Sequence, residues 1–298
     1  MSPVELAGMP QDLPRIRHVL APNPSSLTYR GTNSYILGSG RVAIIDPGPD
    51  DPTHLAALLD ALSPTETVEA ILVTHAHLDH SALASRLSAA TGAPIHALGG
   101  ATAGRSPLMT RMAKAGLTST GDGLDHRFHV DCLMADGDSL SGSDWQVTAL
   151  HTPGHLGNHL CFSVGDILFS GDHVMGWSTT IVSPPEGDMG AYMASLAALS
   201  GKAWRVFLPG HGDPILSPEI RIQTLMKHRR TREEQILDIL AAGPADTSTL
   251  TDAIYTDLPT NLRPAARRNV LAHLLDLLEQ NRVATKDPTD PTATFERS

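Results

Sequence analysis

Residues 74–80 read Thr-His-Ala-His-Leu-Asp-His, which puts three imidazoles and a carboxylate between positions 75 and 80. The apolar run at 70–73 predicts a strand ending just before this segment, and a helical pattern resumes over 81–90. The cluster therefore occupies a loop at a strand's C-terminal end. In extended chain, side chains two apart project to the same side, so His75 and His77 can share one cation. Asp79 and His80 lie beyond a turn and can reach a second cation nearby. A helix cap needs only Asp79 or Ser81 and leaves the three histidines without a purpose.

Three more predicted strands end in residues of the same kind. His151-Thr152-Pro153-Gly154-His155 follows a strand at 145–150, Ser170-Gly171-Asp172-His173 one at 167–169, and Pro209-Gly210-His211-Gly212 one at 206–208. Each sets a His or Asp beside a glycine that permits a tight turn. Taken singly these are ordinary turns; together they can converge on one edge of a sheet sandwich. Further strands are predicted at 32–37, 42–45, 94–98 and 160–164, with helices at 52–62 and 188–199. Gly38-Ser39-Gly40 reads as a hairpin turn, Asp46-Pro47-Gly48 as a turn after a strand, and 99–130 as a half-helical insertion near the site.

On these residues the chain resembles the metallo-β-lactamase superfamily, whose pattern is His-x-His-x-Asp-His, a distant His, a bridging Asp and a final His. The likeness spans about residues 15–220 and implies an α/β fold, a four-layer αββα sandwich. It implies that His75, His77 and His155 hold one metal, that Asp79, His80 and His211 hold a second, and that Asp172 bridges both. Asp46 matches the family's acid that hydrogen-bonds behind the ligands. His-Thr-Pro-Gly-His at 151–155, His159 and Ser-Pro-Pro-Glu-Gly-Asp-Met at 183–189 are similar to the lactamase-beta-2-like subgroup. Leu156-Gly157-Asn158 departs from that subgroup's polar, acidic spacer.

A donor set of imidazole and carboxylate without thiolate suits two divalent ions, with Zn²⁺ the expected metal and Fe or Mn compatible with the same ligands. Of the remaining histidines, His151, His159 and His173 are placed for contacts to ligands or substrate, or for structural hydrogen bonds. His54, His96 and His273 are expected on the surface or in packing, and Tyr192 and Trp177 either line a pocket or pack. Cys132 and Cys161 are too few for a disulfide framework and read as small core residues.

A length of 298 residues favours two domains, divided here as 1–220 and 221–298. Helices at 219–241, 249–255 (with Thr247 as N-cap) and 263–280, then a hairpin pairing 283–285 with 293–295, follow the order of a winged helix. Residues 1–220 carry 11 Lys/Arg against 21 Asp/Glu, a balance of -10, whereas 221–298 carry 11 against 11. Bulk electrostatics therefore do not favour nucleic acid.

The chain is 41% hydrophobic with no apolar run of bilayer length, and residues 1–20 lack a secretion signal. A cytoplasmic protein without membrane contact is expected. The expected chemistry is hydrolysis by a hydroxide shared between two cations about 3.5–4 Å apart, oriented by Asp79, on a small ester, thioester or lactone. One alternative, implied by the subgroup, is cleavage of single-stranded RNA, with Arg229, Arg230, Arg232, Arg263, Arg267 and Arg268 as a basic face. Another is a non-enzymatic winged-helix regulator. The tail is expected to shape the rim of the site or the interface of a homodimer.

Overall fold

The computed structural model describes residues 4–5, 14–118 and 123–298. The expectations for residues 1–20 and 99–130 fall partly outside the described residues.

The first sheet runs in the order β1 (Val4–Glu5), β2 (Ile16–Leu20), β3 (Asn33–Leu37), β4 (Arg41–Ile45), β5 (Thr67–Leu72), β6 (Ile95–Ala97) and β7 (Cys132–Leu133). The strands β1 to β4 pair antiparallel and β4 to β7 parallel. A parallel pair needs a crossover, supplied by α1 (Pro52–Asp60) between β4 and β5. Between β5 and β6 it is supplied by α2 (Leu78–Ser81) and α3 (Ala84–Thr91). The helix expected at 81–90 is thus two pieces. The insertion contributes one eight-residue helix, α4 (Pro107–Lys114), among the described residues.

The second sheet has the order β12 (Val206–Pro209), β11 (Ile167–Gly171), β10 (Leu160–Val164), β9 (Gln146–His151) and β8 (Ser139–Ser141). The strand β10 is antiparallel to both β9 and β11, and β12 is parallel to β11. The C-terminal ends of β9, β11 and β12 therefore lie along one edge of the sheet.

Alternation of side chains explains the layers. Tyr35, Leu37, Ala43, Ile45, Ala70 and Leu72 face Val147, Ala149, Leu160, Phe162, Phe169 and Leu208 between the sheets. Their neighbours Ile36, Val42, Ile44 and Ile71 point the other way, onto Leu58 of α1 and Leu87 of α3. Cys161, Leu168 and Phe207 pack outward against α5 (Met189–Leu199), where Tyr192, Leu196 and Leu199 are buried. Helix, sheet, sheet and helix make the four-layer αββα sandwich, and strands covered on both faces read as unbroken apolar runs.

The helix α6 (Pro218–Ala242) runs without a break past residues 220 and 221, so that its two ends serve different cores. Ile222 and Leu225 join the α5 layer, while Ile236, Leu237 and Leu240 pack with Leu250, Val270, Leu274 and Phe295. The latter belong to α7 (Thr247–Ile254), α8 (Arg263–Glu279) and a small sheet ordered β13 (Ala245–Asp246), β15 (Thr294–Arg297) and β14 (Val283–Ala284). The helices are as expected for a winged helix, but the hairpin pairs Val283 and Ala284 with Arg297 and Glu296 rather than with 293–295, because Thr294 and Phe295 pair with β13. The N-cap of α7 is Asp246 rather than Thr247: its carboxylate accepts from Thr249 N–H at 2.7 Å, and Thr247 takes the first helical position.

Candidate metal centre

The seven expected ligand positions come together at one end of the sandwich. His75, His77 and His155 form one group, Asp79, His80 and His211 another, and His75, His80 and Asp172 a third, with donor atoms within 4.8 Å of one another in each. The carboxylate of Asp172 faces both halves, with Oδ2 3.8 Å from His155 Nε2 and 3.4 Å from His211 Nε2.

Hydrogen bonds behind the imidazoles settle where their protons sit. Asp46 accepts from Thr74 N–H at 2.7 Å, from Thr74 Oγ1 at 2.8 Å and from His80 Nδ1 at 2.9 Å. With its proton committed to Asp46, Thr74 Oγ1 accepts from His75 Nδ1 at 2.9 Å. His155 Nδ1 donates to Ile181 O at 2.7 Å, and His211 Nδ1 to Gly31 O at 3.1 Å. Held in this way, His75 and His155 are kept neutral and direct an Nε2 lone pair into the centre, while His80 and His211 point their Nε2 atoms at the carboxylates. His75 Nε2 and His155 Nε2 each lie 3.0 Å from His77 Nδ1, and His80 Nε2 lies 3.2 Å from His211 Nε2. A proton on His77 Nδ1 could satisfy one neighbour and leave the other lone pair opposed. Asp172 Oδ1 is buried without a hydrogen-bond partner among the described residues. Converging lone pairs and an unmatched carboxylate oxygen fit a cation.

The charge preferences differ across the centre. Burial, then the neighbouring His80, holds His75 well below its usual range, and burial with His155 takes His77 down to about 3. In the other half burial opposes protonation, but Asp79, Asp172 and Asp46 outweigh it and hold His80 well above the usual value. Asp172 likewise prevails over burial at His211, which rises to about 9. Burial opposes ionisation of Asp172 and Asp79, yet the histidines hold Asp172 well below the ordinary carboxylate range and Asp79 below it. The carboxylate-rich half therefore draws positive charge.

The backbone is shaped for these contacts. Asp46 has φ +51, a conformation uncommon for a side chain with Cβ, and its own carbonyl accepts from Ser34 Oγ at 2.6 Å. A Cβ on Gly210 would lie 2.6 Å from both Asp172 Oδ1 and His80 Cε1, so glycine allows the strand end to approach.

Two of the outlying expectations stand behind the centre. His159 Nε2 accepts from Asp172 N–H at 3.2 Å, and its Nδ1 lies 2.9 Å from Thr152 Oγ1. Tyr192 is fully buried, with its hydroxyl donating to His173 O at 3.2 Å; it packs behind the centre and lines no part of the cleft. Of its two expected places, surface or packing, His54 takes the second, buried and bonded at 2.8 Å to Ser34 Oγ. Trp177 stacks on Tyr29 beside the cleft. Arg229 is 2% exposed, so the basic face expected around it is interrupted: its guanidinium turns inward over the Tyr192 ring and donates to Asn269 Oδ1 and Thr180 O. Sequence reading missed Thr74, Thr180, Ile181 and Asn269, which act through backbone groups or through contacts between distant segments.

The centre opens into a cleft of about 480 Å³. Leu27, Met175 and Ile181 line one part, and Leu262, Ala265 and Arg268 bring the tail to the rim. Among the described residues no helix is long and apolar enough to cross a membrane.

Comparison with known proteins agrees with this architecture. Residues 27–211 match the Metallo-beta-lactamase superfamily and residues 247–289 the Beta-lactamase associated winged helix domain. The chain is 33% identical over 285 residues to a beta-lactamase-like protein 2 homolog of Drosophila melanogaster, covering 91% of this chain and 90% of that one. It is 28% identical over 284 residues to an atrochrysone carboxyl ACP thioesterase of Aspergillus fumigatus, covering 89% and 80%. A metallo-beta-lactamase family protein from Thermus thermophilus shares the fold with a TM-score of 0.75 at 23% identity, over 95% of this chain and 98% of that one. The chain belongs to the metallo-β-lactamase superfamily. It is a metal-dependent hydrolase carrying a C-terminal winged helix domain, in a superfamily that typically binds two divalent metals.

Proposed function

We propose that the chain hydrolyses a small organic ester, with a thioester the first candidate and a lactone the next. The reading is carried by the imidazole lone pairs that converge at 3.0 Å around His77 Nδ1 beneath an open cleft. His75, His77 and His155 would hold one cation, Asp79, His80 and His211 the other, and Asp172 would join them. Divalent ions bound there would polarise a carbonyl and lower the pKa of water. Zinc is the metal we assign, and iron or manganese would use the same donors.

The rest of the mechanism belongs to the chain's own side chains. Asp79 faces the cleft, with Oδ2 3.2 Å from His211 Nε2, and is placed to orient the attacking water and take its proton. Asp46 holds Thr74 and His80 in register, and His159 holds the backbone of Asp172. Leu27, Met175 and Leu262 offer apolar surface to an acyl group and help exclude water. The likeness to a thioesterase supports the substrate class.

A regulator without enzymatic activity does not fit a metal-dependent hydrolase. The helix α8, second of the pair that would read DNA, also buries Asn269, Val270, Ala272, His273, Leu274 and Leu275. For RNA the buried Arg229 removes one member of the expected basic face. We divide the chain functionally at 220/221, with 1–220 supplying the ligands and 221–298 the rim.

The test is a panel of thioesters, lactones, simple esters and single-stranded RNA, assayed with metal-loaded and exhaustively chelated protein. Thioester or lactone cleavage lost on chelation is expected; cleavage of RNA alone, lost in Asp79→Asn, would overturn the assignment. Elemental analysis of the isolated protein tests zinc, and light scattering distinguishes a monomer from a homodimer.

A further inference from the structure

The segment 180–182 lies between the metal centre and the tail, and consecutive groups along its backbone are taken from opposite sides. His155 Nδ1 donates to Ile181 O at 2.7 Å. The next N–H, that of Val182, donates to Asn269 Oδ1 at 3.1 Å. These two groups belong to one peptide unit. In a planar trans peptide the C=O and the N–H point in opposite directions, so the unit is held at one end by α8 and at the other by a proposed ligand.

The surroundings make this hold stiff. Asn269 Oδ1 also accepts from Arg229 Nη1 at 3.1 Å, and Asn269 Nδ2 donates to Ala265 O at 3.0 Å, which fixes the amide's orientation. Arg229 Nη2 donates to Thr180 O. Thr180 Oγ1 donates to Asp172 O at 2.6 Å, with His173 O at 3.1 Å. Arg229 lies over the Tyr192 ring at 5.3 Å, so neither its stem nor its fork has room to wander. Asn269, Arg229, Thr180 and Val182 are all buried.

We infer that Asn269 and Arg229 of the tail are positioning residues for the metal centre, acting through the 181–182 peptide to orient His155 and through Thr180 to place Asp172. The inference rests on the metal reading above. The hydrogen bond that the Val182 N–H donates to Asn269 Oδ1 polarises the Ile181 carbonyl toward His155, which makes the imidazole a better donor to a cation and fixes its ring. Loss of a group that orients a ligand in this way costs about 10–100-fold in metal affinity.

The full-length protein is titrated with Co²⁺ against a competing chelator, and its visible absorption is recorded. Wild type should bind two ions. Asn269→Ala should weaken one of them by about 10–100-fold and alter the cobalt spectrum. Asn269→Asp, which keeps an acceptor for Val182 N–H and Arg229 but loses the donor to Ala265 O, should recover part of that loss. Arg229→Lys should show a smaller loss at the same ion, and it serves alone if Asn269→Ala does not fold. Phe295→Leu, in the tail's own core, should lower Tm and leave both affinities unchanged.

Wild-type affinity in folded Asn269→Ala overturns the inference, as does wild-type affinity in Arg229→Lys if it serves alone. An equal loss in Phe295→Leu also overturns it, because the effect would then follow stability alone. Failure of the wild type to bind two ions would instead remove the metal reading itself.

Discussion

His155 and His273 are both buried histidines, one at the open end of the sandwich and one in the tail, and they are built differently. His155 Nδ1 is committed to Ile181 O, and its Nε2 faces His77 and Asp172. Neither ring nitrogen of His273 has a partner among the described residues, and burial, with Arg229 nearby, takes it down to about 3. Burial of an imidazole therefore says little about ligation. The direction of its lone pair says a great deal: where several converge with their outer nitrogens held, the arrangement is made for a cation. Where none do, the ring is packing kept neutral.

If that contrast is right, the largest loss follows from the site and leaves the tail's stability alone. Asp79→Asn should lower kcat by about 10²–10⁴-fold with an unchanged Tm, measured on the best substrate of the panel. Asp172→Ala should in addition lose metal, read by elemental analysis. Retained activity and metal in both variants would erase the distinction between the two regions.

The tail's own core, away from Asn269 and Arg229, should answer in stability instead. Phe295 is fully buried in its core, and Phe295→Ala should cost about 3–5 kcal/mol in denaturant unfolding while metal content is kept. Loss of metal in the folded variant would show that the two regions form one unit.

A smaller effect concerns pH. His273 at about 3 and His54 at about 4 are neutral when folded, against an ordinary value of 6.5. Below pH 6.5 the unfolded chain takes up the protons that the folded chain refuses. Their contribution is thus complete above pH 6.5 and is lost as pH falls toward 4, by roughly 1.4 kcal/mol per pH unit for each group. His273→Leu should flatten the dependence of unfolding free energy on pH over that window; an unchanged slope would mean the ring is protonated in place. Smallest of all, Asp246→Ala should cost about 1 kcal/mol through loss of the α7 cap, seen as a modest fall in Tm.

Much of this is legible in the sequence, and the reasons differ by region. The candidate ligands were visible because they stand at strand ends, where a short apolar run and often a glycine mark the position of a His or Asp. Asp46 also stands at a strand end, but its supporting role was implied only by the family resemblance. The strand β2 was overlooked because Arg17 interrupts its apolar pattern. The fold buries that arginine at 1% exposure by pairing it with Glu66 at 2.8 Å, a partner 49 residues away. Arg229 was read as surface for the converse reason: in a helix rich in charge, nothing local tells which cation turns inward.

By itself the sequence determined the strand and helix pattern and which His and Asp side chains stand in loops, since alternation along a strand and spacing in a loop are local properties of the chain, while the family resemblance implied the four-layer order and the grouping of the candidate ligands. Only the tertiary structure decided that Leu262, Ala265 and Arg268 rim the cleft, and that Asn269 meets the peptide behind His155. Such contacts join segments far apart in the chain through backbone groups common to every residue. No local pattern encodes them, and packing alone selects which groups meet.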